Sequence, residues 1–200
     1  MVMVHPSTVG PRPPPITLEA WADLDEDEAG ELVDGQIVED EDVGAEHDIA
    51  GGWLIWILRS WLGTRGGFMG MSDTRFGVSP TRGRKPDTYV YLPGRKPPPR
   101  TGLVTAPPDL LVEIVSPRPR DARRDRVEKT REYAAFGVRF YWIVDPNART
   151  FEIFELGADR RYAVAASAAE GKIDPVPGCE GLVIDVDALW AELDRLDDGG

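Results

Sequence analysis

The sequence predicts an α/β fold with a three-layer core, in which a mixed β-sheet is flanked by helices. Two short and almost continuously apolar runs, residues 110–115 and 140–144, are typical of strands buried on both faces. Helical periodicity appears before the first run and again between the two runs, whereas several other strand-like segments follow one another directly. This irregular order favours a mixed sheet over a regular βαβ alternation.

The composition predicts one soluble domain in a reducing cytoplasm. The 200 residues suit a single domain, and 42% hydrophobic content with six tryptophans is enough for a core. Cys179 is the only cysteine, which excludes a disulfide framework and a cysteine-rich zinc site. No apolar run has the length of a signal peptide or a membrane span, so we expect no membrane partner. We expect residues 1–15 to form a flexible proline-rich arm, residues 16–195 the domain, and residues 196–200 a tail.

The first half of the chain predicts an N-terminal helix and hairpin, then a long helix and three strands. Thr17 suits the N-cap of a short helix that extends to about Asp27, and Asp34 and Gly35 suit the turn of a hairpin. The other predicted elements are a helix over residues 46–62 and strands over residues 68–71, 74–78 and 84–92. The apolar line of the long helix consists of Trp53, Ile57 and Trp61, widened by Leu54 and Leu58.

The second half predicts one more long helix and a C-terminal group of strands. Before it, the segment 93–108 is rich in proline, glycine and basic residues, and its length suggests function. A helix over residues 123–136 should end at Gly137, and its apolar side includes Val127 and Tyr133. The remaining predictions are hairpin strands over residues 150–156 and 162–166, a strand over residues 182–186, and a short helix capped by Asp187.

The charge is strongly polarised along the chain. The net charge of −12 argues against a nucleic-acid partner when taken alone, because phosphate backbones favour positive surfaces. Fourteen basic and only six acidic residues, however, lie between Arg75 and Arg131, so the centre of the chain is positive. Four of these basic residues are candidate nucleic-acid contacts, with a plain solvated face as the alternative: Arg118, Arg120, Arg123 and Arg124.

Glu113 interrupts the first apolar run and therefore needs a partner. A carboxylate buried in a strand is costly unless a cation or hydrogen-bond donors meet it. Asp87 lies in the preceding predicted strand and Lys129 in the following helix, so one end of the sheet can bring the three together. Two carboxylates can share a Mg²⁺ ion, and a nearby lysine can orient the attacking water, which are the parts that phosphodiester cleavage needs.

A structural role also explains these residues. A glutamate in a core strand is often paired with a lysine or arginine of a neighbouring helix. Asp87 follows Pro86 and suits a hydrogen-bonding residue at the start of a strand. Spacing alone leaves both interpretations open.

The order of several short motifs resembles the Uma-type restriction-endonuclease family, long described as a domain of unknown function within the PD-(D/E)XK nuclease superfamily. The resemblance covers about residues 17–193. The segments that support it are residues 31–35, His47, residues 84–87, residues 108–117, Lys129 with Tyr133, and residues 137–146. No single motif is specific, but their order and spacing together are.

This resemblance implies a restriction-endonuclease-like fold and a DNA endonuclease that depends on Mg²⁺ or Mn²⁺ and is often a homodimer. Asp87 matches the aspartate of the PD element, and Glu113 matches the acidic residue of the (D/E)XK element. The lysine of that element would fall at Val115, a departure that Lys129 from the next helix is expected to compensate. The metal ligands implied are Asp87, Glu113 and the backbone carbonyl of Ile114, with Glu31 as a further candidate.

Two other function classes remain open at this point. The negative charge and the missing lysine at position 115 favour a catalytically inactive, nuclease-fold interaction protein. Hydrolysis of another phosphate ester is a third interpretation. His47 and Tyr133 suit either a site role or plain packing, and the sequence contains no Walker-type loop, zinc-protease pair or serine elbow.

Overall fold

A computed structural model of the chain describes residues 14–25, 30–38, 44–117 and 123–196. The helices are α1 (Leu18–Ala22), α2 (Ala45–Leu62), α3 (Thr130–Phe136) and α4 (Val186–Asp194), with a 3₁₀ turn (Gly63–Arg65) after α2 and a π-turn (Arg124–Lys129) before α3. The strands are β1 (Glu31–Val33), β2 (Gln36–Val38), β3 (Phe68–Met71), β4 (Phe76–Ser79), β5 (Arg82–Arg84), β6 (Thr88–Tyr91), β7 (Leu110–Ile114), β8 (Phe140–Asp145), β9 (Thr150–Leu156), β10 (Tyr162–Ala168), β11 (Lys172–Ile173) and β12 (Ile184–Asp185).

The centre of the molecule is a six-stranded mixed sheet with the order β10-β9-β8-β7-β6-β3. The two apolar runs form β7 and β8, which pair in parallel, while their neighbours in this sheet pair antiparallel. Every residue of both strands is buried. A smaller sheet has the order β2-β1-β5-β4, and β11 pairs with β12. The predicted mixed sheet flanked by helices is confirmed.

The two faces of the main sheet differ in character. The apolar face packs against α2 and α4, with residues such as Leu54, Leu58 and Trp142 in one cluster. The charged face packs against α3 and the small sheet, and its cluster includes Tyr133 and Tyr141. The buried charged side chains among the described residues all lie on this second side: Glu31, Arg84, Glu113, Arg124, Asp125, Lys129 and Asp145.

The N-terminal helix is shorter than predicted. Thr17 caps it as expected, because its hydroxyl accepts a hydrogen bond from Ala20 N at 3.1 Å. The helix ends at Ala22, however, and not near Asp27. The guanidinium of Arg75 donates to the carbonyls of Ala22 and Leu24 at 2.6 and 2.8 Å, so a side chain satisfies carbonyls that another helical turn would have used.

The strand predicted within residues 84–92 is β6, and it is preceded by the end of β5, a strand of the small sheet. β5 ends at Arg84 and β6 begins at Thr88, with Pro86 between them. Proline lacks the N–H that a sheet ladder requires, so the chain leaves the small sheet here and enters the main one. Asp87 therefore lies in the bend before β6 rather than inside a strand.

The helix before Gly137 differs from the prediction in its winding and in one contact. Gly137 ends it in the left-handed conformation, with φ of 101°, as predicted. Its first turns, however, wind as a π-turn, and Val127 is 38% exposed instead of packing on the apolar side. In α2 the buried line runs through Ala50, Leu54 and Leu58, whereas Trp53 and Ile57 are only partly buried.

The remaining local predictions have mixed outcomes. The hairpin turn is confirmed, since Asp34 and Gly35 have φ of 51° and 76° between β1 and β2. Asp185, not Asp187, caps α4 by accepting a hydrogen bond from Ala188 N at 3.1 Å. Residues 1–13 of the predicted arm, residues 197–200 of the predicted tail, Arg118 and Arg120 all lie outside the described residues. Within the described part, no helix combines the length and the apolar character needed to cross a membrane.

Candidate active site

A cavity of about 210 Å³ lies where α2 begins, β7 ends and the π-turn passes over the charged face. Asp87, Glu113 and Lys129 all line it, so the fold brings together the three residues on which the sequence analysis focused. We call it the carboxylate cavity because acids outnumber bases in its wall. The acids are Glu31, Asp48, Asp73, Asp87, Glu113 and Asp125, and the bases are Lys85, Arg124 and Lys129.

Asp87 links β6 to β7 and also faces the cavity. Its Oδ2 accepts a hydrogen bond from the backbone N–H of Ile114 at 2.7 Å, which fixes the carboxylate beside the strand that carries Glu113. Its Oδ1 lies 3.3 Å from Nε2 of His47, near the start of α2. The side chain is 20% exposed, so it is the most accessible of the three predicted residues.

Glu113 is buried and both of its carboxylate oxygens have partners. Oε1 accepts a hydrogen bond from the Tyr133 hydroxyl at 2.5 Å, and Oε2 accepts one from Lys129 Nζ at 2.8 Å. Burial raises the pKa of Glu113 well above its ordinary value, and the nearby negative charge of Asp87 raises it further, although Lys129 opposes both. Burial is therefore the main reason why this carboxyl group resists ionisation even beside an ammonium group.

Lys129 is the cation at the centre of the acids. Its Nζ lies 2.8 Å from Glu113, 3.0 Å from Asp125 and 3.6 Å from Glu31. Burial acts to lower the pKa of Lys129, but Glu113, Glu31 and Asp125 outweigh it and hold the pKa well above its ordinary value. The amine is therefore protonated at neutral pH, and it can donate hydrogen bonds but cannot accept a proton.

Asp125 was missed by the sequence analysis. It is 2% exposed and lies four residues before Lys129, on the same side of the helical segment. Its backbone carbonyl accepts a hydrogen bond from the Tyr141 hydroxyl at 3.1 Å, which ties the π-turn to β8. Burial raises the pKa of Asp125, although Lys129 opposes the rise. The i,i+4 spacing between an acid and the proposed lysine was the available signal.

Glu31 is held in place by cations. Arg84 is fully buried and donates to Glu31 Oε2 at 2.6 Å, while its Nε donates to Glu132 Oε2 at 2.6 Å. Burial pushes the pKa of Glu31 upward, but Lys129 and Arg84 outweigh it, and the pKa lies below the ordinary value. Glu31 is therefore an ionised internal anion that joins the small sheet to the helix over the cavity.

Three further residues near the cavity have distinct positions. Arg124 is only 7% exposed, and its guanidinium lies 3.7 Å from Glu31, so it faces the interior, whereas Arg123 is exposed. Ser116 is 2% exposed and lines the cavity, and it was not among the predicted site residues. Among the described residues, its hydroxyl finds no hydrogen-bond partner.

The donors in this cavity fit a hard divalent cation. In the part of the chain that the structure describes, no three histidine, cysteine, aspartate or glutamate side chains form a metal-binding group. Mg²⁺ does not require one, because it commonly binds one or two carboxylates and keeps several waters. Asp87 and Glu113 are two such carboxylates, and a cation beside them would oppose both the burial and the negative charge of Asp87 that raise the pKa of Glu113.

Comparisons with known proteins agree with the fold and with the motifs. A family model described as "Uma2: Putative restriction endonuclease" matches residues 17–187. A solved structure, described as a "putative nuclease belonging to DUF820" from Anabaena variabilis ATCC 29413, is similar with a TM-score of 0.71 and 21% identity. The match covers 90% of this chain and 99% of that chain, and at this identity it shows the fold alone. A search among curated proteins gave no match.

Proposed function

Because the chain belongs to the Uma2 family of restriction-endonuclease-like proteins, we propose that it is a metal-dependent DNA endonuclease that hydrolyses phosphodiester bonds. The proposal rests on one observation. A single cavity rich in acids is lined by Asp87 from the bend before β6, by Glu113 from β7 and by Lys129 from the following helical segment. The ion would be Mg²⁺ or Mn²⁺.

Asp87 and Glu113 would hold the ion, together with the backbone carbonyl of Ile114. When bound, such an ion acts as a Lewis acid toward phosphoryl oxygens and makes water more acidic. The N–H of Ile114 fixes one oxygen of Asp87, so this carboxylate is oriented before any ligand arrives. Tyr133 does the same for Glu113 through its hydroxyl. Glu31, held by Arg84, is a further candidate ligand at the back of the cavity.

Lys129 would orient the attacking water or stabilise charge on the phosphate. The three carboxylates around it keep its amine protonated, so it acts as a donor and an electrostatic group rather than as a base. It also limits the repulsion between Glu113 and Asp125, which lie on either side of its Nζ. This arrangement supports the idea that a lysine from the helix replaces the one that position 115 lacks.

The proposal also covers the partner and the assembly. DNA is the proposed substrate, with Arg118, Arg120 and Arg123 as phosphate contacts, and with Arg124 as a support for Glu31 in the cavity. A cytoplasmic homodimer is proposed as well, because a two-fold pair of sites can cut both strands of a duplex. Light scattering coupled to size-exclusion chromatography tests the dimer.

Nicking of supercoiled plasmid in the presence of Mg²⁺ tests the nuclease proposal. We expect wild-type protein to nick, and Asp87→Asn to lose about 10²–10³-fold in rate because a metal ligand is removed. Glu192→Gln is the matched control, since it neutralises an exposed carboxylate of α4 outside the cavity. Absence of nicking by the wild type, or equal nicking by Asp87→Asn, would contradict the proposal.

A second candidate function is a non-catalytic interaction protein with the nuclease fold. One observation favours it: Lys129 and Tyr133 already satisfy both oxygens of Glu113 without any metal. Calorimetry with Mn²⁺ separates the two functions. A nuclease should bind the ion and lose that binding in Glu113→Gln, whereas an interaction protein should show no affinity that depends on Glu113.

A further inference from the structure

A second and larger cavity adjoins the carboxylate cavity. Its volume is about 800 Å³, and Asp73 and Lys85 line both cavities. These two side chains form an ion pair, with Lys85 Nζ 3.1 Å from Asp73 Oδ1. The two cavities are therefore neighbours separated by one ion pair, and a ligand in one lies next to a ligand in the other.

The charge of the second cavity is opposite to that of the first. Its wall contains the cations Arg75, Lys85 and Arg100 and only two acids, Asp25 and Asp73. We call it the basic cavity. In the carboxylate cavity, acids outnumber bases two to one. A cation is favoured on one side of the Lys85–Asp73 pair and an anion on the other.

Arg75 gives the basic cavity a fixed positive charge. Its guanidinium donates to the carbonyls of Ala22 and Leu24, and it lies over the ring of Trp21 at 5.8 Å. None of these partners carries a formal negative charge. The positive charge of Arg75 is thus held in the wall without being neutralised by its hydrogen bonds.

The long proline-rich loop supplies the outer wall and is fastened to the body. Val104 N donates to Arg75 O at 2.8 Å, Gly77 N donates to Val104 O at 2.9 Å, and the Tyr91 hydroxyl donates to Ala106 O at 2.8 Å. Arg100 lies on this loop, is exposed, and forms no ion pair with any residue that the structure describes. Its guanidinium is therefore available to an anion from solution.

We infer that the basic cavity binds the phosphodiester backbone of the substrate strand next to the scissile bond, with Arg100 and Lys85 as the phosphate contacts. This inference rests on the proposed nuclease function, because it assumes that the scissile phosphate lies in the carboxylate cavity. The strand then passes the Lys85–Asp73 pair and continues along the loop. Contacts of this kind position the backbone and do not read base sequence.

Salt-dependent binding of a fluorescein-labelled DNA duplex, measured by anisotropy in EDTA, tests the inference independently of cleavage. Loss of one phosphate contact lowers the slope of log K against log salt by about 0.9 for a duplex. We expect Arg100→Gln to show this decrease and to bind more weakly at about 50–200 mM salt. Arg100→Lys should restore most of the slope, since it restores the charge.

Lys96→Gln is the matched control, because Lys96 is an exposed cation of the same loop that does not line the cavity. It should leave the slope close to that of the wild type. Asp73→Asn should tighten binding, because it removes a carboxylate from the wall between the cavities. Equal slopes for Arg100→Gln and Lys96→Gln, or no binding of DNA by the wild type, would overturn the inference.

The failure of this inference and the failure of the nuclease proposal give different results. If the plasmid is nicked in an Asp87-dependent manner while Arg100→Gln behaves like Lys96→Gln, the role of the basic cavity is wrong and the nuclease proposal stands. If Arg100-dependent binding is found without any nicking, the basic cavity binds DNA and the chain is a DNA-binding protein without the proposed chemistry.

Discussion

The two faces of the central sheet are stabilised in different ways. On the apolar face, α2 and α4 bury aliphatic and aromatic side chains against β7 and β8. On the charged face, the small sheet and the helix after the π-turn enclose a network of buried acids and bases. Each buried methylene on the first face contributes about 0.8 kcal/mol, whereas each buried charge on the second must first be desolvated.

This difference separates the stability of the fold from its chemistry. A buried ion pair is often no more stabilising than an apolar pair of the same volume, so a network of this kind is weak support for stability. Five of its seven residues line the carboxylate cavity, whereas Leu54 and Leu58 do not. We therefore expect substitutions on the charged face to affect both stability and activity, and substitutions on the apolar face to affect stability alone.

The largest effect is expected for Arg84→Met on the charged face. Arg84 is fully buried between Glu31 and Glu132, so its loss removes one cation from each carboxylate and leaves Glu31 with Lys129 and Glu132 with Arg82. Removing one member of a buried ion pair typically costs about 3–5 kcal/mol, which urea denaturation would measure. Adding Glu31→Gln to Arg84→Met should recover part of the loss. A cost below about 1 kcal/mol would show that the network is not a buried one.

A similar loss of stability, without loss of chemistry, is expected for Leu54→Ala on the apolar face. Leu54 is fully buried in α2, and its truncation leaves a cavity that costs about 2–5 kcal/mol. The folded fraction should nick plasmid at the wild-type rate, because Leu54 does not line the carboxylate cavity. A reduced rate per folded molecule, at a temperature where both proteins are folded, would contradict the separation of the two faces.

A smaller effect is expected in the pH dependence of stability. Burial raises the pKa of Glu113 above its ordinary value of 4.5, so the folded protein retains a proton that the unfolded chain releases. The stability from this proton is complete below pH 4.5 and is lost as the pH rises through the folded pKa.

Glu113→Gln cannot lose that proton. Between pH 4.5 and about pH 8, in EDTA, the free energy of unfolding of this variant should therefore decline less than that of the wild type. The difference should be about 1.4 kcal/mol for every unit by which the pKa of Glu113 is higher in the folded protein than in the unfolded chain. Urea denaturation at several pH values measures the difference. Parallel curves for the two proteins would show that Lys129 fully compensates Glu113.

The smallest effect on stability is expected for Ser116→Ala. The Ser116 hydroxyl is buried and has no hydrogen-bond partner among the described residues, so its removal should be neutral or should stabilise the fold by about 1 kcal/mol. If the hydroxyl contacts substrate or an ordered water, nicking should decrease in rate at the same time. Thermal unfolding and nicking assays distinguish the two effects, and a clear loss of stability would indicate an internal partner for Ser116.

Much of the fold was predictable because its core strands have strong local signals. The apolar runs of β7 and β8 and the hairpin turn at Asp34 and Gly35 depend on neighbouring residues alone, and both predictions are confirmed. The predicted end of α1 was wrong because Arg75, which is distant in sequence, donates a hydrogen bond to the carbonyl of the last helical residue, Ala22. The break at Pro86 had a local signal, but only the tertiary fold shows that it separates two sheets.

The candidate site was only partly predictable. Asp87, Glu113 and Lys129 were identified because a charge in an apolar run requires partners and because their order resembles a known family. Their catalytic roles are still predictions. The support around them could not be foreseen, since Arg84 contacts Glu31 and Glu132 across about fifty positions of sequence. The basic cavity likewise forms from the end of α1, the turn between β3 and β4, and the long loop, which are distant along the chain.

The π-turn before α3 places Asp125 against Lys129, and Lys129 and Tyr133, four residues apart, both contact Glu113. In a regular α-helix, steps of four residues would drift around the axis by about 40° each. The winding of this segment is therefore part of the candidate site, because the same residues carried on a regular α-helix would meet Glu113 at different angles.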